Sequence, residues 1–235
     1  VMLIMNTPAN NPTGYNVKTD EWEVIMNALN DIANNGKNNV VLVMDIAYID
    51  FAAPEAREMF QMFNNLPANF LVLVAFTMSK SYAMYGYRLG CLLCVTSSEE
   101  EAEAFLDINK FSCRATWSNI NRPAMRTLAT IYNDAELLAA VCKERDDYYQ
   151  MIKARADIFT QEAKECGLPM LPYVAGFFLS IPAKNPDAIC EKLHEENIFA
   201  VPLAAGVRIA VCAVPVRKIK GMAAKVMAAW KAFEE

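Results

Sequence analysis

Leu71-Val72-Leu73-Val74-Ala75-Phe76 is apolar at every position and runs directly into Thr77-Met78-Ser79-Lys80, which adds two hydroxyls and an amine. An apolar run of this length, without alternation, fits a strand buried on both faces, and such strands belong to parallel sheets covered by helices. Working outward, residues 1–5, 40–44 and 89–95 have the same texture. Between the first two, residues 20–34 carry Val24, Ile25, Ala28, Leu29 and Ile32 at helical spacing. Asp20 and Glu21 stand in the first turn, where the helix dipole favours acids. A second connection spans residues 54–64. Strands alternating with helices predict an α/β fold with a mostly parallel sheet.

From Ser98 onward helical patterns dominate: residues 99–111, 119–133 and a long charged stretch, 135–165. Short strand candidates follow at 176–181, 199–203 and 207–211. Helical patterns lie at 187–197 and 216–233, the latter with Ile219, Met222, Ala223, Val226, Met227 and Trp230 as one stripe. This texture predicts a second, small α+β domain at the C-terminal end. The boundary is placed near residue 145, giving domains 1–145 and 146–235.

Composition narrows the function. The chain has 235 residues, 54% of them hydrophobic, enough for a sizeable core. Its net charge is −5 with acids and bases intermixed, so nucleic acid is not an expected partner. No apolar run approaches the roughly 18 residues of a membrane span. The seven cysteines lie in apolar or helical stretches and read as reduced thiols of a cytoplasmic protein. Cys91-Leu92-Leu93-Cys94 lacks a second ligand pair, so no metal site is expected. His194 is the only histidine and stands among charges, which leaves no nucleophile–histidine triad. The chain opens on Val1, already inside an apolar run. Termini usually lie at the surface, so the expectation is that protein precedes it.

The polar residues are informative by position. The first apolar run leads to Asn10-Asn11-Pro12-Thr13-Gly14, the second to Asp45, the third to Thr77, Ser79 and Lys80. In open α/β sheets ligands bind beyond the carboxyl ends of the strands. An amide, a carboxylate and an amine are therefore expected along one edge. Taken singly, each is ordinary: an Asp after a strand caps a turn, and Asn-Pro-x-Gly is first of all a turn.

Taken in order, these residues carry a resemblance. Asn11-Pro12-Thr13-Gly14, Asp45-Ile46-Ala47-Tyr48, and Ser79-Lys80 with Arg88 beyond resemble the class I aminotransferases of the aspartate and aromatic type, which are fold-type-I pyridoxal-phosphate enzymes. Arg114-Ala115-Thr116-Trp117-Ser118-Asn119 and Val207-Arg208-Ile209 resemble two further segments of that family. The match keeps the family's order and covers nearly the whole chain. It departs at Thr77, where the family usually has Ser, and at Val207, where it usually has Gly.

The resemblance implies pyridoxal 5′-phosphate as cofactor, with a partial fold-type-I large domain followed by the small one. It implies that Lys80 forms the cofactor's Schiff base and afterwards moves the substrate proton. Asp45 would pair with the pyridine nitrogen, keeping the ring an electron sink. Tyr48 and Asn11 would donate to the ring's phenolic oxygen, while Thr77, Ser79 and Arg88 would hold the phosphate. Arg208 would clamp the substrate α-carboxylate, and Asn11 also counts among the substrate-binding residues. Arg114 would reach from a neighbouring subunit to a distal carboxylate, so a homodimer with a shared active site is implied. The implied reaction moves an amino group between an L-amino acid, aspartate or aromatic, and a 2-oxo acid. A related pyridoxal-phosphate lyase, or the non-catalytic effector domain of a transcription regulator, is the alternative. The family's phosphate loop and its ring-stacking aromatic lie upstream of Asn11-Pro12-Thr13-Gly14, so this chain by itself is expected to have weak or no activity.

Overall fold

The computed structural model describes residues 1–234. They divide into two compact units. The first comprises Val1–Thr7 and Val17–Arg145, the second Pro8–Asn16 and the chain from Asp146 onward.

The first unit is α/β. Its strands β1 (Met2–Asn6), β2 (Val40–Asp45), β3 (Phe70–Thr77) and β4 (Gly90–Val95) form one sheet in the order β1-β2-β3-β4. The first three are parallel and β4 returns antiparallel to β3. Parallel neighbours need a crossover, and helix α1 (Thr19–Asn34) supplies the first. The second crossover is two 3₁₀ turns, Ile49–Phe51 and Pro54–Phe63. After β3 come the short α2 (Met78–Ser81), then β4, α3 (Glu99–Thr116) and α4 (Arg122–Asn133). The long α5 (Ala135–Cys166) begins in this unit.

The core lies on one face of the sheet. Leu42, Met44, Phe70, Val72 and Val74 are buried there against Trp22, Met26, Leu29 and Phe63. Two sequence expectations change accordingly. The strands are not buried on both faces: the alternate residues of β2 and β3 are half-buried, and on the edge strands Met2, Ile4 and Leu93 are exposed. On α1 the buried stripe is Trp22, Met26, Leu29 and Ala33, while Val24 is 69% exposed and Ala28 faces out. Both stripes have helical spacing. The one holding Trp22 and Met26 buries the larger side chains, and the Trp22 ring meets Phe63 edge-on at 6.4 Å.

The second unit is α+β. Strands β5 (Phe178–Pro182), β6 (Val201–Leu203) and β7 (Gly206–Ala210) form an antiparallel sheet in the order β5-β7-β6. Helices α6 (Pro186–His194), α7 (Val216–Ile219) and α8 (Met222–Glu234) complete it. Ile189, Leu193, Ile219, Ala223 and Val226 are fully buried with Leu179, Ile181 and Val207 of the sheet. Here too the sequence reading needs correction. The helix expected over 216–233 is broken at Gly221, whose φ of +78° no helix accommodates and whose N–H donates to the Glu162 carboxylate at 2.9–3.0 Å.

Residues 8–16 were assigned by sequence to the first domain, and the structure groups them with the second. The Gly14 carbonyl accepts from the Val174 and Ala175 N–H groups, and Ser180 Oγ donates to the Pro12 carbonyl at 2.8 Å. These bonds tie the segment to β5 and the chain that leads into it. Among the described residues no helix is long and apolar enough to cross a membrane.

Candidate functional site

The sequence-predicted residues fall into two groups, one in each unit. In the first unit, β2 and β3 are parallel neighbours, with Asp45 opposite Ala75, so their carboxyl ends lie side by side. Asp45 is the last residue of β2. Its Oδ1 accepts from the Ala47 N–H at 3.0 Å, which aims the carboxylate and starts the turn to Tyr48. Tyr48 is 6% exposed.

Lys80 follows β3 on α2. Thr77 is the N-cap of that helix, its hydroxyl accepting from the Ser79 N–H at 3.2 Å. The Lys80 amine lies 5.6 Å from the Tyr48 ring centroid and 5.9 Å from that of Tyr85. Two aromatic faces within about 6 Å of an ammonium hold it by cation–π attraction. Tyr85 was not anticipated, because the contact depends on the loop after α2 and no spacing announces it.

A second cluster adjoins Lys80 in the chain. The Thr77 hydroxyl donates to Ser79 Oγ at 3.0 Å, and Arg88 Nη1 reaches the same oxygen at 3.4 Å and the Tyr85 carbonyl at 2.7 Å. Ser79 is 3% exposed, whereas Arg88 is exposed and left-handed at φ +51°. A non-glycine residue in that region is held by its surroundings, here with its guanidinium turned toward the hydroxyl pair. Two hydroxyls and a guanidinium together form a donor set suited to a phosphate monoester.

In the second unit, Arg208 lies on the central strand β7. Its Nη1 donates to Asn11 Oδ1 at 2.9 Å and its guanidinium stacks on the Phe178 ring, 4.4 Å from the centroid. Its Nε is buried without a hydrogen-bond partner. Ser180, directly opposite Arg208 in the β5–β7 ladder, anchors the Pro12 carbonyl and with it the segment carrying Asn11. A cation held this way, with bonding capacity to spare, is equipped to take a carboxylate. Phe178 and Ser180 were missed from sequence. They are ordinary strand residues until the register sets them against Arg208.

Arg114 belongs to the first unit. It lies in the last turn of α3, a helix that buries no side chain, and its Nη1 donates to Ser118 Oγ at 2.7 Å. Among the described residues no group of three or more His, Cys, Asp or Glu could hold a metal ion.

Comparison with known proteins shows the family. The family model described as aminotransferase class I and II matches residues 1–226. The aspartate aminotransferase of Pseudomonas aeruginosa is 29% identical over 140 residues, covering 59% of this chain and 33% of that protein. The aromatic-amino-acid aminotransferase of Escherichia coli is 25% identical over 228 residues, covering 94% of this chain and 54% of that protein. Among solved structures, an aminotransferase from Anaerococcus prevotii superposes with a TM-score of 0.94 at 37% identity, over 97% of this chain and 56% of that one. The chain thus spans between about a third and a half of the length of these curated relatives.

Proposed function

The chain belongs to the class I and II aminotransferases, and from that membership we propose that it forms the lysine-bearing part of an enzyme using pyridoxal 5′-phosphate. The reaction moves an amino group between an L-amino acid, aspartate or aromatic, and a 2-oxo acid. The observation that carries this reading is the setting of Lys80. It follows the parallel strand next to the one ending in Asp45, lies 5.6 and 5.9 Å from the centroids of two tyrosine rings, and adjoins the Thr77–Ser79–Arg88 donor set. The matched relatives named above are all aminotransferases, and no observation favours a regulator's effector domain or a lyase.

The residues fit the cofactor's chemistry. When bound, pyridoxal phosphate supplies an aldehyde for a lysine amine and an electron-withdrawing ring that stabilises charge at the substrate Cα. Thr77, Ser79 and Arg88 would hold the phosphate. The Asp45 carboxylate would pair with the pyridine nitrogen and favour its protonated form. The Tyr48 hydroxyl would donate to the ring's phenolic oxygen. The Lys80 amine would be the group that bonds the aldehyde and the base that moves the proton at the substrate Cα. Arg208 binds the α-carboxylate, with Asn11 fixing the orientation of its guanidinium. Arg114 takes a distal carboxylate from across a homodimer interface. The protein works in the cytoplasm.

The test needs a single event per site. Joined to the rest of its enzyme and loaded with the cofactor, the chain should convert up to one equivalent of L-aspartate, L-phenylalanine or L-tyrosine to its 2-oxo acid, read by chromatography, and Lys80→Ala should be inert. A loaded whole enzyme that leaves all three amino acids unchanged would overturn transamination.

A further inference from the structure

Arg145 touches both segments that carry the proposed cofactor residues of the first unit, although no motif points to it. Tyr48 leads into the 3₁₀ turn Ile49–Phe51, closed by the Phe51 N–H donating to the Tyr48 carbonyl at 2.8 Å. Asp50 sits in that turn with its side chain 8% exposed. Its Oδ2 pairs with Arg145 Nη1 at 3.2 Å, and its Oδ1 accepts from Arg57 Nη2 at 2.6 Å. The Arg145 side chain is 22% exposed and that of Arg57 42%. The Arg145 guanidinium also lies 5.8 Å from the ring centroid of Tyr82. Tyr82 caps α2, two residues after Lys80, and its hydroxyl donates to the Tyr132 hydroxyl on α4 at 2.9 Å. Burial, helped by that bond, pushes the Tyr82 phenol well above its ordinary range, so the ring meets Arg145 as a neutral π face.

A mostly buried carboxylate with two guanidinium partners is a weak source of net stability, since desolvation offsets the attraction. It favours one geometry, because removing a guanidinium partner leaves the buried Asp50 carboxylate poorly compensated. The geometry favoured here is that of the Tyr48 turn relative to the cap of the Lys80 helix. We propose that Arg145, paired with Asp50, is a positioning residue that holds Tyr48 over the Lys80 amine. This rests on the reading that Lys80 and Tyr48 serve the cofactor. Arg57, on the more exposed side of the same carboxylate, plays the smaller part.

The experiment treats the chain with limiting pyridoxal phosphate, reduces with borohydride, and measures by mass spectrometry the label on Lys80 relative to the other lysines. Asp50→Asn and Arg145→Ala should each lower that preference by about tenfold, the order of one charge-assisted contact. Arg145→Lys should restore part of it and Arg57→Ala should lower it less. The decisive readout is a cycle with Tyr48→Phe: in that background the Asp50 and Arg145 effects should largely vanish. Thermal unfolding followed by circular dichroism identifies any variant that fails to fold, and Asp50→Asn, which keeps its shape, stands in for Arg145→Ala if needed. Unchanged preference in folded Asp50→Asn, or an equal loss with and without the Tyr48 hydroxyl, would overturn the proposal while leaving the Lys80 reading intact. A wild-type chain with no preference for Lys80 would overturn both.

Discussion

Replacing Gly14 with Ala should destabilise the second unit well beyond the usual cost of a glycine substitution. Gly14 has φ +72°, and its N–H donates to the Asn10 carbonyl at 2.6 Å while its carbonyl accepts from Val174 and Ala175. A Cβ there would overlap the Tyr173 ring and lie 2.6 Å from the Phe178 carbonyl oxygen. The ring could turn, but the carbonyl belongs to β5 and cannot step aside. The left-handed backbone costs a non-glycine residue about 1–2 kcal/mol, and forced overpacking adds about 1–3 kcal/mol. The total is about 2–5 kcal/mol. Gly221→Ala in the same unit isolates the first part, since Gly221 has φ +78° and no atom within 4 Å of an added Cβ. That control should lose only about 1–2 kcal/mol. Urea unfolding followed by far-ultraviolet circular dichroism gives both values from midpoint and slope. Equal losses for the two variants would refute the close approach at Phe178. The consequence reaches the site, because the same segment presents Asn11 to Arg208.

Other perturbations follow from the same contacts. Ser180→Ala removes the 2.8 Å bond to the Pro12 carbonyl and should cost about 1 kcal/mol in the same urea assay, with a larger loss in amino-acid affinity as the Asn11 segment loosens. Arg208→Leu should leave the thermal midpoint nearly unchanged, or raise it, because Arg208 holds a buried Nε without a partner; carboxylate substrate binding should be lost, and a strongly lowered midpoint would argue that Arg208 is structural. Burial pushes the Cys190 thiol up to about 11, so at pH 9 it stays protonated in the fold and unreactive. Iodoacetamide at that pH should label the exposed Cys91 and Cys142 first, with Cys190 following only above pH 11 or on unfolding; early labelling of Cys190 would contradict its burial.

Much of this molecule was legible in its sequence where one residue type has one physical use. The strands β2 and β3 could be read directly, because their apolar runs are short, rich in Val and Leu, and bounded by polar turns. The positions of Asp45 at the end of β2, Lys80 just after β3 and Arg208 within β7 were legible, because the apolar runs around them mark the strands. What could not be read depends on choices that period alone leaves open. Both stripes of α1 have helical spacing, and only the sheet beneath selects Trp22 and Met26. Gly221 sits in an otherwise continuous pattern, and the break there depends on Glu162, remote in sequence. The grouping of residues 8–16 with β5, and the places of Phe178, Ser180, Tyr85, Asp50 and Arg145, arise from contacts between distant segments.

The central claim is that Lys80 is the lysine that bonds the cofactor. Its most direct test is to add pyridoxal phosphate to the purified protein, record the visible absorbance, reduce with borohydride and locate the modified lysine by mass spectrometry. The account expects a new visible band, its loss on reduction, and label concentrated on Lys80, with Lys80→Arg showing neither. Label spread over surface lysines such as Lys153 and Lys192, with no band and no difference in Lys80→Arg, would contradict it.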